Sequence, residues 1–216
     1  MISEESLISI MKLSKLWFIE DGVKFVLYFL QHCPTFRPAL QLYFAFHHGQ
    51  PHWIEPAFRA LVKIPLQKLT ERDAELLGTT VMWVLSKTIS ELQEHRQMLA
   101  YTWPRLEVSR FYCSEESHVF CSQRWQIYWL TEVAAFLLHP GNSEKTYKDL
   151  KEKLKSHDYE TLEDGTTEYC IRETLDGNTI TDPPRIGLLN KRNGILFYES
   201  ECVNKAIALL KEKAVI

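Results

Sequence analysis

Apolar side chains recur every three or four residues through the first three quarters of the chain, the spacing that gives a helix one buried face. Ser3 followed by Glu4 and Glu5 predicts a helix start, with Leu7, Ile10, Met11, Leu13 (or Ser14) and Trp17 on its inner stripe. A second helix, from near Asp21, buries Val23, Val26, Leu27 and Leu30 and ends at Pro34. Thr35 and Pro38 open a third, through Leu40, Tyr43, Phe44 and His47, which Gly49 stops. Pro56–Val62 is a short helix. Thr70-Glu71-Arg72-Asp73 reads as a capping box for a helix that Gly78 closes after Leu77.

The longest predicted helix runs from Thr80 to Tyr101, with Val81, Val84, Leu85, Thr88, Leu92, His95 and Leu99 inward, and Trp103-Pro104 ends it. Residues 104–121 read as a loop carrying two cysteines. Ser122–Leu138 is a further helix with Trp125 and Trp129 one turn apart, and Ser143 caps another through Leu154. Buried positions are expected at Leu27, Leu40, Phe58, Leu61, Val84, Leu92, Trp129 and Phe136.

The tail differs. Asp164-Gly165 and Asp176-Gly177 are turn dipeptides, and Ile186–Leu189 and Ile195–Tyr198 flank a glycine-containing loop, which predicts a β-hairpin. Ser200–Ala214 follows as a helix, apolar at Val203, Ile207 and Leu210. The predicted fold class is mainly α, a multi-helix domain with a small C-terminal β-hairpin plus helix. The predicted division is 1–156, helical, and 157–216, an acidic tail.

Composition narrows the function. A chain of 216 residues with 45% hydrophobic and 25% charged residues has an ordinary globular balance. A net charge of −3 argues against nucleic acid or an anionic membrane as partner. The apolar runs are too short to span a bilayer, and the acidic start lacks a signal peptide's basic region, so an intracellular location, cytoplasmic or nuclear, is expected. Five widely spaced cysteines then stay mostly free thiols. No nucleophile elbow, zinc-protease pair, phosphate loop or dinucleotide fingerprint is present, so no catalytic residue and no cofactor is expected.

Leu13-Ser14-Lys15-Leu16-Trp17, the run Pro56-Ala57-Phe58-Arg59-Ala60-Leu61-Val62, and Pro65-Leu66 with Leu69-Thr70, Asp73 and Leu77-Gly78 form a distinctive set. With Glu94-His95-Arg96, Cys113, Cys121, Trp125, Trp129 and Phe136-Leu137-Leu138-His139-Pro140 they resemble the helical region that follows the BTB (POZ) domain in fungal BTB proteins. The likeness spans roughly Leu7 to Pro140, and Pro56–Gly78 is its most specific part. Two departures stand out. The BTB fold, which precedes this region in that family, is expected to be missing here. The family's late Cys-x-x-Cys pair is reduced to Thr167-Glu168-Tyr169-Cys170. What the resemblance implies is an adaptor-like, non-catalytic module that binds other proteins.

Several residues carry candidate chemistry. Cys113, His118 and Cys121, with Cys170, are tetrahedral zinc ligands by type. Their spacing is not that of a zinc finger and the late pair is incomplete, so no tightly bound zinc is expected. His47, His48 and His52, near Glu55, are separated by Gly49 and Pro51 and read as a polar helix end. His95 reads as a core histidine. Trp17, Trp53 and Trp103 are the interface candidates, the last two because they lie near prolines at helix boundaries. The rival to the binding module is an aromatic-lined pocket for a small molecule. If the first helix is not covered by the tail, self-association through it is expected.

Overall fold

The computed structural model describes residues 2, 4–32, 36–109, 112–142, 145–156, 166–176 and 195–214. Among these the secondary structure is helical and no strand occurs. The helices are α1 (Glu4–Leu16), α2 (Glu20–Gln31), α3 (Pro38–His47), α4 (Ile54–Val62), α5 (Glu71–Tyr101), α6 (Glu115–Tyr128), α7 (Ala134–Leu138), α8 (Tyr147–Ser156), α9 (Thr166–Asp176) and α10 (Ile195–Ala214). No helix among the described residues is long and apolar enough to cross a membrane.

Local chemistry sets several boundaries. Thr70 accepts from the Asp73 amide at 3.1 Å while Asp73 accepts from the Thr70 amide at 3.0 Å, a reciprocal cap at the start of α5. Gly78, at φ +67°, breaks the helical path inside α5, so the expected stop after Leu77 and restart near Thr80 both occur. Gly49 ends α3 at φ +65°. The predicted cap Ser143, the stop Pro34 and the helix-opening Thr35 lie outside the described residues, as does Ser3. It is Thr146, bonded to Asp149, that caps α8.

The buried side chains form two clusters strung along α5. One joins α1 to α4, most of α5, and α10 through Val203, Ile207 and Leu210. The other joins the end of α5, Leu106, α6, α7, α8 and α9. Leu40, Phe58, Leu61, Val84, Leu92 and Trp129 are buried as expected, whereas Leu27 and Phe136 are only half-buried.

Three expectations are corrected. Residues 115–121 are not loop but the first two turns of α6, because Ser114 and Ser117 form a capping box. Residues 166–176 form α9, where turns alone were expected. Ile195–Tyr198, the predicted second hairpin strand, is the first turn of α10. The helical register continues through Cys202, Ala206 and Leu210, all buried, which outweighs the local β-branched and aromatic preference. The predicted first strand, Ile186–Leu189, and its loop lie outside the described residues.

Candidate metal centre

The corrected helices change what the cysteines do. Once 115–121 is helical, His118 and Cys121 stand three residues apart on one face of α6. Cys113 lies just ahead of the Ser114 cap, and Cys170 reaches the same spot from α9. One ligand atom from each of Cys113, His118, Cys121 and Cys170 lies within 4.8 Å of all the others. The Cys113 sulfur is 3.8 Å from the Cys121 sulfur and 3.8 Å from His118 Nδ1. The Cys170 sulfur is also 3.8 Å from His118 Nδ1. Cys121 and Cys170 are buried, and Cys113 and His118 are half-buried.

The surroundings hold this geometry. His118 Nε2 stands 3.2 Å from the Leu106 carbonyl, to which it donates, so Nδ1 carries the lone pair that faces the thiols. The Ser109 amide donates to the Cys170 sulfur at 3.4 Å. Ser117 Oγ lies 3.7 Å from Cys113. Burial, followed by the neighbouring cysteines, pushes the Cys170 thiol up to about 12, with the Ser109 amide opposing. Three sulfurs crowded together thus disfavour thiolate charge unless a cation shares the space.

Elsewhere the predicted residues disperse. Trp17 is 65% exposed and Trp103 lies at the surface, but Trp53, expected at the surface, is only 5% exposed. Pro51-His52-Trp53 forms a turn of helix that points the indole into the core, edge-on to Phe36 at 5.5 Å. His95 shares a 2.6 Å hydrogen bond with the Tyr147 hydroxyl and stacks on Tyr198 at 3.9 Å; burial lowers its pKa. Its hydrogen-bond partner is therefore a phenol. His48 turns inward over Phe44, while His47 bonds the Tyr43 carbonyl, so the three histidines of this end do not converge.

Tryptophans do not gather round a pocket either. Trp125 and Trp129 are buried, each donating to a backbone carbonyl, Pro104 at 2.8 Å and Leu99 at 2.9 Å. A cleft of about 350 Å³ between α4 and α5, lined by Val62, Lys63, Pro65, Leu92 and Arg96 among others, includes no aromatic side chain, whereas another of about 350 Å³ beside Gly78 is lined in part by Tyr43, Phe46 and His47. Comparison with protein-family models, with curated proteins and with solved structures found no match.

Proposed function

We propose that this chain is a non-catalytic protein-interaction module, akin to the post-BTB helices it resembles, that docks on a second copy of itself through the corner joining α1 and α2. The observation that carries the reading is Phe18. It is 92% exposed and sits at φ +57°, in the left-handed region. The Ile19 amide bonds the Ser14 carbonyl at 2.7 Å and the Phe18 amide bonds Lys15 at 3.3 Å, the paired bonds of a helix C-terminus where glycine is the usual residue. A phenylalanine there costs about 1–2 kcal/mol of backbone strain and gains no burial within the chain.

Strain and exposure together are a poor arrangement for a monomer and a sound one for an interface. Leu13, Leu16, Trp17, Ile19, Phe25 and Tyr28 are exposed on the same two helices and the turn between them. Lys15 donates to the His47 carbonyl at 3.1 Å and Lys24 pairs with Glu20 and Asp21 within the chain, so what the corner offers a second copy is its apolar surface, self-complementary about a two-fold axis. Among the described residues of the tail, α10 packs mainly on α4, α5 and α8 rather than on this corner.

Phe18→Gly provides the test. It should stabilise the isolated chain by about 1 kcal/mol in urea, by relieving the left-handed residue. In sedimentation velocity the wild type should dimerise with rising concentration, and the variant should shift toward monomer. A wild type that stays monomeric throughout, or a variant that dimerises equally well, overturns the proposal.

A further inference from the structure

We propose that Cys113, His118, Cys121 and Cys170 bind one zinc ion as a closed structural site, contrary to what their spacing in the sequence suggests. A tetrahedral zinc with sulfur at about 2.3 Å and nitrogen at about 2.0–2.1 Å sets its ligands about 3.8 Å apart, sulfur to sulfur, and about 3.5 Å apart, sulfur to nitrogen. The Cys113–Cys121 separation of 3.8 Å is that sulfur edge, and the two sulfur–nitrogen separations of 3.8 Å lie within a few tenths of an ångström of theirs. Three of the six edges thus have the spacing of a coordination shell, and the remaining three lie within 4.8 Å.

The donor set selects the ion. Three soft thiolates and one imidazole in tetrahedral array suit zinc, and four protein ligands leave no open position for a substrate water. The site is therefore structural rather than catalytic. Its outer contacts are those a metal-bound histidine and thiolate need. The Leu106 carbonyl accepts from His118 Nε2 and so leaves Nδ1 as the ligand atom, and the Ser109 amide donates to the Cys170 sulfur. Binding converts the three thiols to thiolates, releases their protons to solvent and oxidises nothing. The bound ion ties the segment before α6, α6 itself and α9 at one point.

The ligands arise from Cys-x4-His-x2-Cys and a cysteine 49 positions further on. No second cysteine beside Cys170 is needed, because His118 fills the fourth position.

The test uses the full chain, purified under reducing conditions without chelator. Elemental analysis should find about one equivalent of zinc. Replacement by cobalt under anaerobic conditions should give the intense visible absorption of a tetrahedral thiolate site. Cys113→Ser and His118→Ala, both at half-buried positions, should lose most of the metal while circular dichroism stays helical. His118→Cys should keep it, as a four-cysteine site, and so should Cys202→Ser, whose thiol bonds Glu91 instead. Removing the zinc with a chelator should lower the melting temperature of the wild type and leave His118→Ala unmoved.

Wild-type protein that carries under a tenth of an equivalent and refuses cobalt overturns the proposal, on the order of a tenfold shortfall from a structural site. So does zinc retained by both Cys113→Ser and His118→Ala, or a metal-free protein with Cys113 and Cys121 joined as a disulfide.

Discussion

Gly22 shows how closely single side chains set this packing. A Cβ placed there would lie 2.9 Å from Ser14 Cβ, a buried atom on α1, so α1 and α2 touch at a point where only hydrogen fits. Alanine in a helix interior ordinarily gains up to about 1 kcal/mol over glycine. Here the overlap forces the helices apart, and Gly22→Ala should destabilise by about 1–3 kcal/mol in urea denaturation. A gain in stability would mean the two helices yield without cost. His48 makes a second residue-scale prediction. Burial, then Lys15, His47 and Lys12, lowers its pKa from 6.5 to about 4. The unfolded chain therefore binds the proton more readily than the folded one. The stability that neutral His48 contributes is full above pH 6.5 and falls away as pH drops toward 4. Urea midpoints measured across that window should decline in the wild type and decline less in His48→Leu.

At the scale of elements, α4 is the clearest case of sequence determining packing. Ile54, Ala57, Phe58 and Leu61 fall on one face, and all four are buried between α3, α5 and α10. Phe58→Ala should cost about 3–5 kcal/mol, read as a lower urea midpoint with unchanged slope. A loss below about 1 kcal/mol would show that neighbouring side chains collapse into the space. Elements of this kind were legible because a stripe, a cap and a stop agreed, as in Thr70, Asp73 and Gly78 around α5. Helix α6 was not, because Val119, Phe120 and Ile127 are exposed alongside the buried Cys121 and Trp125, so the helix has no clean apolar face. Its Ser114–Ser117 cap also lacks the acidic residue that marks such boxes. Helix α9 was hidden in an acidic stretch between turn dipeptides. Reading both as loops is what scattered Cys113, His118, Cys121 and Cys170. Their residue types were visible in the sequence, but their convergence depends on two helices that the apolar pattern does not announce. Trp53 failed differently: proximity to proline suggested the surface, while a single helical turn carried the indole inward.

Across the whole molecule, two apolar clusters share α5, and α10 is the second connection between them. Its Val203, Ile207 and Leu210 complete the first cluster beside α4 and α5. At its start, Glu199 accepts from the Tyr147 amide of α8 at 2.9 Å, Tyr198 stacks on His95, and Tyr147 belongs to the second cluster. Arg59 of α4 also donates to Asn204 at 2.6 Å. Removing α10 therefore does more than shorten the chain. It exposes the α4 face that Phe58 anchors and, among the described residues, leaves α5 as the main link between the clusters. A single cooperative unfolding transition requires such coupling to exceed the difference in stability between the parts. Calorimetry of the full chain should show one transition. A chain ending at residue 194 should show a broadened or split one, with the first cluster melting earlier because it has lost the buried Cys202, Val203, Ala206, Ile207 and Leu210. Adding zinc separates the two parts further, since the cluster of four ligands belongs to the α6–α9 half: the later transition should rise with zinc while the earlier one stays fixed. A truncated chain that still melts in one sharp step would assign the coupling to α5 alone.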